Sequence, residues 1–219
     1  MWHRKKKERV HGKGRVAQVT RIFLVRHGQT QWNLQKRLQG HKNSPLTATG
    51  RKQALHVRKV LAGVTLHVAY VSPLPRALET LSIIIEGQET EVHEAPSLKE
   101  IHLGPWEGKT REEIRVSHPQ QYNDFWNNPE RFTLQGAETF HHLQTRVVRQ
   151  LETIFSREQG RNILVVSHWI ALKVALAHYS SIALAGLPGL ADPGNGSFFV
   201  LSQTGSGEVI LERCGNDTI

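Results

Sequence analysis

Apolar residues along this chain follow two rhythms. The first is a short unbroken run, seen at Ile22-Phe-Leu-Val25, at Val68-Ala-Tyr-Val71 and within Asn162-Ile-Leu-Val-Val-Ser-His168. Such β-rich runs predict strands buried on both faces, as in a parallel sheet. Glu91 to His93 predicts a poorer third strand, and Ser197-Phe-Phe-Val-Leu201 with Glu208-Val-Ile-Leu211 predicts a hairpin around Gly205-Ser-Gly207. The second rhythm is helical. Thr47 is the expected N-cap of a helix carrying Ala54, Leu55, Val57, Val60 and Leu61, which Gly63 ends. Another helix opens after Ser72-Pro-Leu-Pro. Phe140, Leu143, Val147, Leu151 and Ile154 make Glu138 to Arg157 a long amphipathic helix, and a last helix is expected from His168 to about Tyr179.

Residues 109 to 136 mix Phe125, Trp126 and Phe132 with prolines and polar residues, which predicts short helices and loops laid over the sheet. Gly186 to Gly196 reads as loop. No internal repeat and no linker divides the chain. Strands that alternate with helices imply an α/β protein with a mostly parallel sheet. The expected organisation is a basic, flexible extension over 1–20 and one domain over 21–219, with an insertion at about 100–137.

Composition narrows this little. A chain of 219 residues with 38% hydrophobic and 21% charged residues has room for one buried core. No stretch approaches the roughly 18 consecutive apolar residues of a membrane span, and no secretory signal is expected. The single cysteine, Cys214, has no internal partner, so a reducing cytoplasm is the expected home. The formal net charge of +9 is unevenly spread. Residues 1–21 hold eight Lys/Arg against one acid, and the rest holds 20 basic and 18 acidic residues. The charge is a tail. It reads first as a solvated extension and second as an arm for nucleic acid or anionic lipid. No aromatic RNA-binding strand or DNA-reading helix accompanies it.

The chemistry gathers at strand ends, where open α/β sheets bind ligands. The first strand stops at Arg26-His27-Gly28, the second leads to Arg76, the third to Glu100, and the last parallel strand to His168. Arg26-His-Gly-Gln-Thr30 with Asn33 resembles the R-H-G-x-T-x-x-N signature of the histidine phosphatase (phosphoglycerate mutase-like) superfamily. Four further stretches resemble that family in the same order. They are Ser44-Pro-Leu-Thr with Gly50 and Gln53-Ala54, Ser72-Pro-Leu-Pro-Arg76, Leu98 to Gly108, and Gly136-Ala-Glu-Thr139 with Ser167-His168 beyond it. The departures are Asn43 where an acid is common, Ala137 and Thr139 in the G-G-E-S element, and Trp169 where a glycine usually follows the histidine. The resemblance implies a three-layer α/β/α sandwich, phosphoglycerate mutase-like, with an antiparallel edge strand on a mostly parallel sheet.

It also implies roles. His27 would be the nucleophile, since a neutral imidazole attacks a phosphate dianion without charge repulsion and becomes a covalent carrier. Arg26, Arg76 and His168 would stabilise the transferring phosphoryl group and bind substrate, as guanidinium forks suit phosphate oxygens. Asn33 and Gln39 would add neutral contacts, with Ser44 helping to shape the pocket. Glu100 would pass protons to the leaving group and from water, with Glu94 and Glu107 as rival acids and Glu107 the structural member of its W-E-G element. His41, His102, His141 and His142 read as solvated. No metal or cofactor is expected, for there is no Asp-rich magnesium loop and no H-E-x-x-H. The expected partner is a small phosphorylated metabolite, with no membrane, nucleic acid only through the tail, and a homodimer as an allowed assembly. A metal-independent phosphatase working through phosphohistidine is the leading function. A phosphoglycerate mutase and a non-catalytic phosphate- or nucleic-acid-binding protein are its rivals. Trp106, Phe125, Trp126 and Phe132 are either an apolar wall for the leaving group or the packing of the insertion, and Trp169 is expected to narrow the pocket or shift the backbone.

Overall fold

The computed structural model describes residues 19–204 and 207–215, so nearly all of the basic extension and the tip of the last hairpin lie outside it. One sheet organises the described residues, in the order β3-β2-β4-β1-β5-β6. The strands are β1 (Thr20–Arg26), β2 (Val68–Val71), β3 (Glu91–Glu94), β4 (Asn162–Ser167), β5 (Phe198–Gln203) and β6 (Val209–Gly215). The first four run parallel, and β5 turns antiparallel against both β1 and β6. The antiparallel edge is therefore a hairpin, with the reversed strand one place in from the margin.

The continuous apolar runs follow from burial on both faces. Successive side chains alternate across a strand. Ile22, Leu24, Val68, Tyr70, Ile163 and Val165 pack against one helical layer, and Phe23, Val25, Ala69, Val71, Leu164 and Val166 against the other. The second layer holds α2 (Ala48–Val60) and α3 (Pro75–Ile84), with Ala54, Val57, Leu81 and Ile84 turned inward. The first layer holds α6 (Phe140–Arg157) and α7 (Trp169–Tyr179). The result is a three-layer α/β/α sandwich. A four-residue helix, α1 (Gln31–Leu34), follows β1. Edge strand β3 is mostly exposed, which accounts for its weak apolar signal.

Helix α6 starts two residues later than its apolar spacing predicts. Thr139 caps it by accepting from the His142 amide at 3.2 Å, so Glu138 falls outside the helix and is free to pair elsewhere. Residues 100–137 fold as α4 (Arg111–Ser117) and α5 (Pro119–Asn127) flanked by short 3-10 turns. Thr110 and Glu113 form a capping box at the start of α4. Trp106, Phe125, Phe132 and Phe140 meet with ring centroids 5.1–5.9 Å apart. Their burial fastens this segment to the sheet.

Two glycines let the segment after β1 touch α2. A Cβ on Gly28 would lie 2.3 Å from the Gly50 carbonyl oxygen, and one on Gly50 would lie 2.1 Å from that of Gln29. Backbone meets backbone there with no flexible atom to yield. Gly50→Ala is expected to destabilise the protein by about 2 kcal/mol through overpacking. The thermal midpoint should fall by roughly 2–4 °C for each kcal/mol at this size. An unchanged melt would mean that the two segments separate freely.

Candidate active site

Because β1, β2, β3 and β4 are parallel, the segments leaving them open on one side of the sheet. A cavity of about 500 Å³ lies there, lined by Arg26, His27, Asn33, Gln39, Arg76 and Glu100 among others. Six of the seven residues expected at the site thus share one space.

His27 is buried at the end of β1, with 2% of its surface exposed. Its Nδ1 lies 2.8 Å from the Gly28 carbonyl oxygen, which can only accept, so Nδ1 carries the hydrogen. The Nε2 lone pair is left for the cavity, where the Arg76 Nε donates to it at 3.3 Å. Burial first, then the charges of Arg76 and Arg26, hold this imidazole well below its usual pKa, so it is neutral at pH 7. The Gly28 amide donates to Thr80 Oγ1 on α3 at 3.0 Å, fixing the turn that presents it.

Arg76 stands in the first turn of α3, 1% exposed. It donates to the carbonyl oxygens of Gly40 and Lys42 at 2.8 and 2.7 Å. Asn43 Oδ1 accepts from the Arg76 backbone amide at 3.2 Å. The side chain that meets this amide is thus a neutral acceptor. Arg26 reaches the Pro193 carbonyl oxygen, and its buried Nε has no partner. Desolvation lowers both guanidinium pKa values to about 10, against the opposing pull of Glu100, and both stay cationic at neutral pH.

Glu100 occupies the N-terminus of α7. Its Oε1 accepts from the amides of Ile101 and Ala171 at 3.0 and 3.1 Å, and Oε2 from that of Ile170 at 3.2 Å. These bonds satisfy amides that a helix start leaves open, and they leave the second lone pair of Oε2 for a proton. Arg146, on α6, fixes the chain that carries Glu100. It pairs bidentately with Glu138 and donates to the carbonyl oxygens of Ser97, Lys99 and Glu100 at 2.8–2.9 Å. Of the rival acids, Glu107 spends both oxygens on the amides of His41, Lys42 and Leu103. Glu94 is exposed on β3.

Asn33 accepts at Oδ1 from the Thr30 amide and from Asn195 Nδ2, which leaves its own NH2 toward the cavity. Gln39 is in the wall, but its amide already joins Thr30 to Ser44. It holds the pocket's shape. His168 differs from expectation. It is fully buried behind the cavity rather than in its lining, with its ring 5.1 Å from that of His27. Its Nε2 lies 2.7 Å from Ser72 Oγ, and its Nδ1 has no partner. Burial and the nearby cations lower its pKa well below the usual value. Trp169 and Ile170 form the wall at this strand end, and the backbone passes directly into α7.

Several readings need correction. His41 and His102 are not simply solvated. Their rings pack at 4.8 Å, and His41 Nε2 donates to the Glu100 carbonyl oxygen at 2.9 Å. Of the two readings of the insertion's aromatics, packing describes Trp106 and Phe132, which are core residues, and the wall keeps only Phe125 of the four. Asn195, Arg111 and Arg146 were not singled out from the sequence. Asn195 lies in an irregular turn, Arg111 follows an unremarkable threonine, and Arg146 is one of three arginines on its helix. The offset of Arg146 by eight residues from Glu138 was the one signal available. Among the described residues no three His, Cys, Asp or Glu side chains gather as a metal site, and no helix is long and apolar enough to cross a membrane.

Residues 22–216 match the histidine phosphatase superfamily, branch 1. The chain is 34% identical over 173 residues to a metal-independent phosphoserine phosphatase from Arabidopsis thaliana, covering 78% of this chain and 73% of that one. It is 31% identical over 174 residues to a "Probable phosphoglycerate mutase GpmB" from Serratia proteamaculans, covering 80% and 79%. Among solved structures, Bacillus stearothermophilus YhfR superposes with a TM-score of 0.87 at 34% identity, covering 91% of this chain and 98% of that one.

The depressed imidazoles give a stability prediction. At pH 6 the unfolded chain binds more protons at His27 and His168 than the folded protein does, so stability rises with pH in this range. Stability should fall as pH is lowered from about 7 to 5, by up to about 1.4 kcal/mol per pH unit for each such histidine. Denaturant unfolding of the H27N/H168N double variant should show a flatter dependence than wild type over the same window. Parallel profiles would mean that the two rings titrate normally.

Proposed function

The chain belongs to the histidine phosphatase superfamily, and from that premise we propose that it is a metal-independent phosphatase, hydrolysing small phosphate monoesters through a phosphohistidine intermediate. The observation that carries this reading is the neutral His27, its Nε2 lone pair turned to a cavity that also holds Arg26, Arg76 and Glu100. Arg76 Nε gives up its hydrogen bond to Nε2 and turns to the phosphate oxygens; Nε2 attacks phosphorus, the N–P bond forms, and the bond to the ester oxygen breaks. Arg26 and Arg76 bind the equatorial oxygens, where charge concentrates. The unpartnered Nε of Arg26 is a donor free for that contact. His168 stands behind His27, its ring 5.1 Å away, and backs that ring instead of supplying a donor. Asn33 adds a neutral one.

Glu100 gives the proton that the leaving alkoxide needs. Its carboxylate then takes one from the water that attacks phosphohistidine, which restores His27 and the protonated acid. The arrangement calls for no metal in either step, and the name of the Arabidopsis relative agrees with that. A second reading, a phosphoglycerate mutase, is favoured by the name of the Serratia relative. A mutase would return the phosphoryl group to the product before water reaches it.

Hydrolysis of a panel of phosphate monoesters with EDTA present separates these readings. The panel includes 3-phosphoglycerate with and without 2,3-bisphosphoglycerate. Phosphate release that persists without metal and disappears in His27→Ala is the expected result. Glu100→Gln should lower kcat by about 10²–10⁴-fold, the usual contribution of a general acid–base group. Interconversion of phosphoglycerates with little free phosphate would mean a mutase, and a silent, folded protein across the panel would leave a binding protein or a phosphatase whose substrate lies outside the panel.

A further inference from the structure

Beyond the groups that would hold a phosphoryl group, the cavity carries more positive charge. Lys36, Arg37 and Arg111 also line it. Arg37 is spent on the Gly108 carbonyl oxygen and Glu113. The one further acid in the wall, Asp192, is taken by Lys173 at 2.6 Å. Neither Lys36 nor Arg111 has a carboxylate partner among the described residues.

Arg111 is nevertheless held in place. Its guanidinium carbon lies 4.2 Å from the centroid of the Trp126 ring and 5.6 Å from that of Trp169, and the two indoles are 5.5 Å apart at 34°. Stacking of this kind restrains a long side chain while leaving its N–H edges free to donate. Trp169 also has Arg26 at 5.8 Å, so one indole stands against both the inner and the outer guanidinium. The field of Arg111 is felt at Arg26, where it helps to lower the pKa. The departure at Trp169 thus has a physical consequence, a seat for a cation at the mouth of the cavity.

We propose that Arg111, seated on Trp126 and Trp169 and helped by Lys36, is a specificity-determining residue that binds a second anionic group, a carboxylate or phosphate, on the leaving alcohol. This rests on the phosphatase reading above and narrows it to esters whose alcohol is itself charged. A dianionic phosphoryl group is matched by Arg26 and Arg76. A cation fixed beyond them by its stacking, although exposed at the mouth of the cavity, attracts negative charge on the rest of the substrate.

Two esters with the same three-carbon skeleton test this. 3-Phosphoglycerate carries a carboxylate where glycerol 3-phosphate carries a hydroxymethyl group. In phosphate release, wild type should favour the first in kcat/KM by about tenfold or more, the scale of one charge-assisted hydrogen bond. Arg111→Met should bring the ratio toward one, Arg111→Lys should keep part of it, and Trp126→Leu should fall between them. A wild-type ratio near one, or a ratio unmoved in a folded, active Arg111→Met protein, overturns the proposal and leaves the phosphatase intact. Calorimetric binding of both esters to His27→Asn, with and without Arg111→Met, reads the same preference without turnover. Loss of hydrolysis in wild type would then count against the phosphatase alone, while equal binding of the two esters would count against Arg111.

Discussion

Arg76 is a guanidinium with almost no water around it and no carboxylate in contact. Burying such a charge is costly unless hydrogen bonds and an opposite charge offset it. The hydrogen bonds come from the carbonyl oxygens of Gly40 and Lys42, and the opposite charge is only partly supplied, by the field of Glu100 and Glu107. These bonds tie the loop at 40–43 to α3 and set the Arg76 Nε against His27. They also leave the site with more positive charge than its acids neutralise. A site made this way is stabilised by the anion that fills it, and its guanidinium charges add to burial, the larger cause, in lowering the imidazole pKa values.

The acid is placed by a different device. Glu100 sits in a poor position to place itself, on irregular chain after an exposed edge strand. Three groups hold it there: the first amides of α7, the Arg146–Glu138 pair from the start of α6, and His41 behind its carbonyl. Each belongs to a separate element. Glu100 is therefore oriented by α6, α7 and the loop at 40–43 together, while His27 is oriented by the sheet and by α3. The cavity lies between the two.

This division explains what the sequence revealed. Strands β1, β2 and β4 were legible because burial on both faces demands unbroken apolar runs, and motifs at their ends carried His27, Arg76 and His168 with them. Thr47 as a cap was legible from local chemistry. Glu138 was read inside α6 because periodicity does not register a cap that Thr139 supplies. Arg146, Asn195 and Arg111 were not legible, since their importance lies in which distant chain each side chain meets. His168 falls at the expected strand end, but that its ring backs the cavity follows from its meeting with Ser72 and His27, which no local pattern encodes. The aromatic residues of the insertion divided by direction rather than type, with Phe125 turned to the cavity and Trp106 and Phe132 to the core.

The place of β1 in the sheet bears on how the protein comes to be made. This strand, among the first described residues, pairs with β4 and β5, so its neighbours lie about 140 and 180 positions downstream. Contacts so far apart in sequence form late and slowly. During synthesis the apolar β1 emerges long before either flank exists, with every element from α1 to α6 made in between. His27 is thus translated ahead of Arg76, Glu100 and His168, yet its strand gains its second neighbour only after all three. A growing chain cannot complete this sheet until β5 has left the ribosome, and until then the apolar run of β1 has unpaired edges that chaperones or neighbouring chains can bind.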